Sequence, residues 1–302
     1  MITIPGTFAL EHLETLNLQD NRLSTLRKQT FHGTSFLQEL DLSRNSLSQL
    51  STEQFRNLRN LRILNLSGNH IRSLSRDVFE GTRIETLDLS SNRISIVPSA
   101  AFLEVGYTLR DLNLAENLIE HLDSSAFPVS QLINLNLADN RLTILPDNSF
   151  VALNGLLSLN LSKNYIQANF KELFHYLPDL KRLYMANCGL KIVPVLPLSN
   201  LNILDLSFNA IQVLDQANVQ YLTSLKELSL VNNSLNAVPD VRLRILRHLD
   251  LSDNPIEIEN SGQRGCSVVD CIGLKWVNAF KTYPLIDQLM KQFVVTTLPL
   301  LL

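Results

Sequence analysis

Residues 13–23 read LETLNLQDNRL, and this eleven-residue pattern decides the fold of the chain. An apolar residue at its first, fourth, sixth and eleventh positions recurs in eleven units along the sequence. The units span 13–23, 37–47, 61–71, 84–94, 109–119, 132–142, 156–166, 180–190, 201–211, 225–235 and 246–256. Their ninth positions hold Asn21, Asn45, Asn69, Asn92, Asn117, Asn140, Asn164, Cys188, Asn209, Asn233 and Asn254. Because these residues are 21 to 25 apart, the sequence is one long internal repeat.

The first half of each unit predicts a short β-strand. Leucines at the fourth and sixth positions alternate with other residues, and a period of two puts them on one face of a strand. One such strand cannot bury that face alone, so successive units must stack with their strands in a parallel sheet. The asparagine that follows is expected to bond backbone groups of neighbouring units, forming a ladder. Cys188 suits this ladder because a thiol is small and donates weakly.

A second repeated position lies ten residues after the asparagine. Seven consecutive units hold phenylalanine there: Phe31, Phe55, Phe79, Phe102, Phe127, Phe150 and Phe174. From the eighth unit onward, Leu198, Val219 and Leu243 replace it. We predict that the phenylalanines stack as an aromatic spine that fills the convex half of the solenoid.

These features resemble the leucine-rich repeat family, and specifically its typical 24-residue class, over about residues 1–258. The resemblance implies an α/β solenoid, a horseshoe of about eleven repeats with a parallel β-sheet on its concave face. Short helical or irregular segments would form the convex face. This class is used mostly in secreted proteins and receptor ectodomains. The chain looks most like the Toll, Slit and chaoptin-like adhesion and receptor proteins of animals.

Composition excludes several other classes. Of the 302 residues 61 are leucine, and the hydrophobic share of 45% is typical of a folded chain. The formal net charge of −3 provides no general attraction to nucleic acid. No apolar stretch reaches the roughly 18 residues needed to span a membrane. Three cysteines are too few for a fold built on disulfides.

The N-terminal residues read as part of an earlier repeat. Phe8 falls where a spine phenylalanine would stand, and the segment 4–8 resembles the second half of a unit. We therefore expect residues 1–258 to be a solenoid that starts in mid-repeat without an N-terminal cap, as in a truncated sequence. The alternative is a cytoplasmic protein, because the first residues lack the basic start and apolar core of a signal peptide.

Residues 259–302 are expected to form a degenerate C-terminal capping segment. In the family the last repeat often runs through Asn-Pro into a cysteine-bearing cap with a Cys-x-x-Leu-x-Trp stretch. The pair 254–255 and the stretch 271–276 resemble these elements. The family cap usually has four cysteines, whereas this segment offers Cys266 and Cys271, which either bond each other or remain free.

The apolar run 293–302 leaves three interpretations open. It is part of the cap, the start of a lost membrane segment, or a short lipid-anchor signal. An anchor signal needs small residues and a polar spacer upstream of its apolar tail, and no clear example occurs here. Membrane attachment is therefore expected only through parts missing from this chain or through this weak signal.

No catalytic site is expected. The six histidines never pair at metal-ligand spacing, and no nucleophile motif or phosphate-binding glycine loop occurs. Asp41, Asp88, Asp205 and Asp250 all hold the fifth position of the repeat, so repetition explains them. Cys188 replaces a structural asparagine and predicts a buried thiol rather than a nucleophile. We therefore expect no enzyme activity, cofactor, metal ion or small-molecule substrate.

Three glycosylation sequons begin at Asn65, Asn160 and Asn232. If the chain is secreted, these asparagines are predicted acceptors. The signal is weak, since Leu-Asn-Leu-Ser is nearly the repeat consensus itself.

The concave face is where a module of this kind binds, since its side chains are exposed on a rigid scaffold. Its variable positions are acid-rich in the first five units and change character in units seven to nine. Here we predict contact of a protein ligand with Lys181, Arg182, Tyr184, Ile203 and Phe208, because arginine and aromatic residues are enriched in hot spots. Period-two geometry places Arg182 and Tyr184 outward on the eighth strand. Ordinary scatter of surface residues is the competing explanation.

The predicted function is non-catalytic recognition of a protein ligand on the concave face. The setting is predicted to be extracellular or at the cell surface, in a cell-adhesion protein or a receptor ectodomain. The alternative is an intracellular leucine-rich repeat scaffold or adaptor. A nucleic-acid partner is not expected.

Overall fold

The computed structural model describes residues 10–256 except 29, 76, 99–101, 123–125 and 128–129. Its central element is a sheet of eleven parallel strands, in which the spatial order of the strands is their order in the chain. The strands are β1 (Thr15–Asn17), β2 (Glu39–Asp41), β3 (Ile63–Asn65), β4 (Thr86–Asp88), β5 (Asp111–Asn113), β6 (Asn134–Asn136), β7 (Ser158–Asn160), β8 (Arg182–Tyr184), β9 (Ile203–Asp205), β10 (Glu227–Ser229) and β11 (His248–Asp250). The predicted parallel solenoid of about eleven repeats is therefore confirmed.

Each strand turns its central leucine into the core and its two flanking residues outward. The leucines pair in register from unit to unit, as in Leu40 with Leu64 and Leu64 with Leu87. All three are buried, and their stacking continues along the solenoid. Residues on either side of the central leucine are half-buried or exposed, and they form the concave face. That face can vary in sequence without disturbing the core beneath it.

The connections between strands are short and only locally helical. In the described part of the chain they hold α1 (Phe170–Leu173), α2 (Gln216–Val219) and the 3-10 turns Thr52–Gln54 and Phe174–Tyr176. One polar side chain fixes α2 to the preceding unit, because Asn218 accepts from the Asp215 amide and donates to the Val193 carbonyl. The first bond satisfies the backbone N–H group at the start of the helix, and the second attaches the helix to the preceding unit.

The repeated asparagine forms the predicted ladder. The Nδ2 group of Asn45 donates to the carbonyl oxygens of Leu42 and Ser43 in its own unit and of Leu18 in the preceding unit, at 2.9 to 3.1 Å. Its Oδ1 atom accepts the Leu23 amide at 3.0 Å. The same set of bonds recurs along the solenoid, as at Asn92, Asn140 and Asn233. Each asparagine therefore satisfies buried backbone groups of two units at once.

Cys188 occupies the ladder as a weaker substitute. Its Sγ atom lies 3.4 Å from the Leu161 carbonyl and 3.6 Å from the Ala186 carbonyl, as expected for a thiol donor. It carries no oxygen with which to accept the Ile166 amide, the counterpart of the Leu142 amide that Asn164 accepts in the preceding step. The thiol therefore reproduces part of the donor half of the ladder and leaves out the acceptor half.

The phenylalanine spine is present on the convex side. All seven rings are buried, and those of Phe31, Phe55, Phe79, Phe102 and Phe127 follow one another with centroids 6.2 to 6.4 Å apart. Phe174 instead stacks on Phe170, at 6.0 Å. Leu198, Val219 and Leu243 continue the buried position in the later units.

Several predictions fall on residues that lie outside the described part of the chain. These are the half-repeat at 4–8, the capping segment 259–302, the pairing of Cys266 with Cys271 and the apolar run 293–302.

We predict that Phe79→Ala or Phe102→Ala lowers the free energy of unfolding by about 3–5 kcal/mol, since each leaves a cavity in the spine. Phe208→Ala should cost less than about 1 kcal/mol, because this ring is 56% exposed. Urea unfolding followed by circular dichroism measures all three. Equal losses at the three positions would contradict the spine.

We also predict that Cys188→Asn stabilises the solenoid by about 1 kcal/mol, because its Oδ1 would accept the Ile166 amide that a thiol cannot serve. Cys188→Ala is the matched control and should destabilise, since it removes the donors to Leu161 and Ala186. Urea midpoints of the two variants and the parent decide the order. The idea fails if the asparagine variant is no more stable than the alanine variant.

Candidate functional site

The fifth position of the repeat has a structural task. Its side-chain Oδ1 accepts the amide two residues on, closing the turn that ends the strand. The pairs are Asn17 with Gln19, Asp41 with Ser43, Asn65 with Ser67, Asp88 with Ser90, Asn113 with Ala115, Asn136 with Ala138, Asn160 with Ser162, Asp205 with Ser207 and Asp250 with Ser252. The bond therefore accounts for the row of carboxylates without any catalytic role.

The eighth position explains why this turn needs a cap. In every unit its residue has a left-handed backbone with φ between 51° and 65°, glycine at Gly68 and other residue types elsewhere. Non-glycine residues seldom adopt this conformation without local support. Phe208, at 57°, is one of them.

Tyr184 departs from this rule, and a neighbour compensates. A phenol ring cannot cap the turn after β8, and the Ala186 amide instead donates to the Ser162 hydroxyl of the preceding unit, at 3.1 Å. The Ser162 amide is itself capped by Asn160. The turn is therefore held without Tyr184, and the half-buried ring is left on the concave face.

The strand register places the predicted site residues. Arg182 pairs with Ser158 on one side and Ile203 on the other, while Tyr184 lies between Asn160 and Asp205. The predicted outward placement of Arg182 and Tyr184 is thus confirmed, and Arg182 adjoins Ile203.

Lys181 and Phe208 stand at opposite edges of this patch. Lys181 precedes β8 and is exposed, and Phe208 follows β9 by three residues. Within the described chain neither Lys181 nor Arg182 forms an ion pair. By contrast, Lys163 bonds Asp139 at 2.8 Å, which raises the pKa of that lysine.

Arg182 reaches away from Ile203, toward the earlier units. Its Nη2 group donates to Asn134 Oδ1 at 3.2 Å, two strands distant. Asn134 in turn donates to Asp111 Oδ1, and Thr86 donates to Asp111 Oδ2 at 3.5 Å. A hydrogen-bonded row thus links β4, β5, β6 and β8. Sequence reasoning missed Thr86, Asp111 and Asn134 because it considered adjacent strands only. An arginine side chain can span two strand spacings, which together amount to about 10 Å.

A depression of about 330 Å³ lies on the same side of Tyr184. Its lining comprises Thr86, Leu87, Asp88, Asp111, Leu112, Asn113, Asn134, Leu135, Asn136, Ser158, Asn160 and Tyr184. The Oδ1 atoms of Asn113, Asn136 and Asn160 are engaged in the turn caps, and no bond among the described residues uses their Nδ2 groups. The depression therefore combines amide donors with a largely apolar surface, and Tyr184 lies at its C-terminal end.

The three sequons occupy different surroundings. Asn65 and Asn160 end strands of the concave sheet and are half-buried, and the Nδ2 group of Asn65 lies 3.4 Å from Asp41 Oδ2. Asn232 is exposed in a turn, with φ 51°. Because Asn160 pairs with Tyr184 in register, a glycan at Asn160 would cover the depression.

The described residues hold no group of three or more histidine, cysteine, aspartate or glutamate side chains suited to a metal ion. Cys188 is buried, and desolvation raises the pKa of its thiol to about 11, so it is protonated at neutral pH. Over the same residues, no helix has the length and apolar character needed to cross a membrane.

A parallel solenoid with an asparagine ladder and a variable concave face defines a repeat scaffold of the horseshoe type. The sequence profile described as Leucine rich repeat matches residues 11–71, 35–94, 59–106, 130–190 and 199–256. These matches cover more than two thirds of the sequence, and the chain belongs to the leucine-rich repeat family. No curated protein sequence matches it.

Solved structures with the same fold include receptor ectodomains. The Toll chain of the Drosophila Toll–Spatzle complex is 25% identical with a TM-score of 0.68, covering 82% of this chain and 39% of Toll. TLR13 in complex with an RNA is 22% identical with a TM-score of 0.69, covering 82% and 41%. The Leptospira interrogans protein LIC12759 is 25% identical with a TM-score of 0.66, covering 89% and 72%. The chain thus spans about two fifths of Toll and of TLR13.

We predict that Ser162→Ala lowers the free energy of unfolding by about 1 kcal/mol, because it leaves the Ala186 amide without its acceptor. In a Tyr184→Asn background the cost should largely disappear, since the new side chain would cap Ala186 itself. Urea unfolding of the two single variants and the double variant, made in bacteria to exclude glycans, measures this coupling. Ser162→Thr keeps a hydroxyl and is the control. Additive effects of the two changes would contradict the compensation.

Proposed function

We propose that the chain is a non-catalytic recognition module that binds a protein ligand on its concave face. The contact centres on Arg182, Tyr184 and Ile203, with Lys181 and Phe208 at its edges. The observation that carries this proposal is Tyr184 itself. It gives up a cap that nine other units keep, while Ser162 preserves the fold beneath it.

Shape and surroundings support the same site. Tyr184 borders the 330 Å³ depression, and Arg182 is fixed beside it by Asn134. Tyrosine and arginine are, with tryptophan, enriched among binding hot spots, and hot spots cluster in well-packed pockets that a ligand desolvates. The similarity to Toll, solved in a complex with Spatzle, supports a protein as the ligand.

The proposed setting is extracellular or at the cell surface, in a receptor ectodomain or an adhesion protein. Support comes from the similarity to Toll and from the sequons at Asn65, Asn160 and Asn232. Asn232 is the acceptor that the surroundings favour, because it is exposed and lies outside the depression. An intracellular scaffold would carry no glycan at any of the three.

We predict that Tyr184→Ala and Arg182→Ala each weaken ligand binding at least tenfold, about 1.4 kcal/mol, without lowering the unfolding midpoint. A screen of folded secreted-protein domains against the immobilised full chain supplies the ligand, and titration gives the affinities. Matched controls are Tyr107→Ala, 72% exposed and outside the depression, and the exposed Arg59→Ala.

The site is wrong if both concave variants bind like the controls. The setting is tested separately on the natural protein, whose mass should fall on glycosidase treatment. An unchanged mass and a cytosolic location would favour the scaffold alternative.

A further inference from the structure

The guanidinium of Arg182 is held in place with most of its donors unused. One Nη2 bond joins it to Asn134, and Asp111 fixes Asn134 from the other side. Thr86 in turn donates to Asp111, so the side chains that support Arg182 come from the three strands β4, β5 and β6. An arginine has five N–H donors in a rigid planar fork. No other hydrogen bond of Arg182 occurs among the described residues, so the remaining donors are available to a ligand.

Other donors surround this fork. Asn136 and Asn160 line the depression, no bond to another described residue uses their Nδ2 groups, and Tyr184 borders it. Between β6 and β8 the strand residues on the concave face are asparagine, serine, arginine and tyrosine, without a carboxylate. This part of the surface therefore offers many hydrogen-bond donors and one fixed positive charge.

The neighbouring carboxylates are already engaged. Both oxygens of Asp111 accept bonds from within the row, and Asp205 Oδ1 caps its own turn through the Ser207 amide. Neither carboxylate forms an ion pair with Arg182 among the described residues. They do lower the local potential, so the place suits a singly charged anion better than a doubly charged phosphate.

We propose that Arg182 receives a carboxylate of the ligand, so that the partner is a protein that presents an aspartate or glutamate to the concave face. Asn160 and Tyr184 add donors to the same carboxylate, and Asn134 is a positioning residue. This inference rests on the proposed function and specifies the chemistry of its ligand.

Pre-orientation makes the contact selective. A bidentate arginine–carboxylate pair is stronger and more directional than a single charged bond, and a lysine cannot reproduce it. Since Asn134 already restricts the side chain, less rotamer freedom is lost on binding. Arg182→Lys should therefore retain the charge and lose most of the selectivity.

The test uses a random peptide library displayed on phage and the full chain immobilised. Peptides enriched on the parent protein should share an aspartate or glutamate. Synthetic copies should bind at least tenfold more weakly to Arg182→Gln, and about equally to the control Arg59→Gln. Replacing the acidic residue of the peptide by its amide should weaken binding to the parent protein by the same factor as Arg182→Gln does. The same replacement should not weaken binding to Arg182→Gln any further.

Two more variants test orientation and charge. Asn134→Ala should weaken binding severalfold, and Arg182→Glu should enrich lysine-bearing or arginine-bearing peptides instead. Arg182 is exposed, so Arg182→Gln and Arg182→Glu should leave the urea midpoint of unfolding unchanged.

Each contrary result has a distinct meaning. Enriched peptides that need Tyr184 but share no acid would overturn this inference and leave the proposed function standing. Peptides insensitive to both Tyr184→Ala and Arg182→Gln would overturn both. Binding only after phosphorylation or sulfation of the peptide would overturn the choice of a carboxylate, as would an absence of enrichment on the parent protein.

Discussion

Each unit of this solenoid is fastened to the one before it by an asparagine whose side chain serves both. The Nδ2 group of Asn69, for example, reaches carbonyls of its own unit and of the preceding one, while its Oδ1 atom accepts the Leu47 amide. Strands of three residues leave many backbone groups at their ends unpaired, and burying such groups is costly. The ladder removes that cost, and the stacked leucines and phenylalanines can then lie close together. Both the sheet and the aromatic spine depend on it.

The need to satisfy backbone polar groups also determines many side chains of the concave face. Because asparagine or aspartate at the fifth position caps the turn, most of the central row of that face is set by folding rather than by a ligand. Where a different side chain enters the row, as at Tyr184, another group can take over the cap. Ser162 provides this at Tyr184, and the neighbouring Ser158 is small enough for Arg182 to pass over it toward Asn134. The proposed binding residues therefore lie where the structural rule is relaxed.

Much of this architecture could be predicted from the sequence. The ladder at Asn45, the spine at Phe79 and the outward placement of Tyr184 follow from periodicity, because each depends only on which unit stands next to which. The link from Arg182 to Asn134 could not be predicted in that way. It depends on the rotamer of a long side chain and on the space above a small residue two units away, and neither is visible in a repeat pattern. Ser162 was missed for a related reason, since its hydroxyl acts on the following unit.

Cys188 weakens the hydrogen-bond ladder at one junction between units of the solenoid. In a stack whose stability is approximately a sum of nearest-neighbour couplings, the weakest coupling marks the place where one cooperative block ends and the next begins. The thiol lacks the acceptor that Asn164 and Asn209 supply on either side of it, so the junction of the seventh and eighth units is the softest step of the ladder. Arg182 and Tyr184 stand on the eighth unit, and their contacts to Asn134 and Asn160 cross this junction. A ligand that contacts both blocks would therefore stabilise the junction between them. Part of its binding free energy would then appear as increased rigidity of the horseshoe.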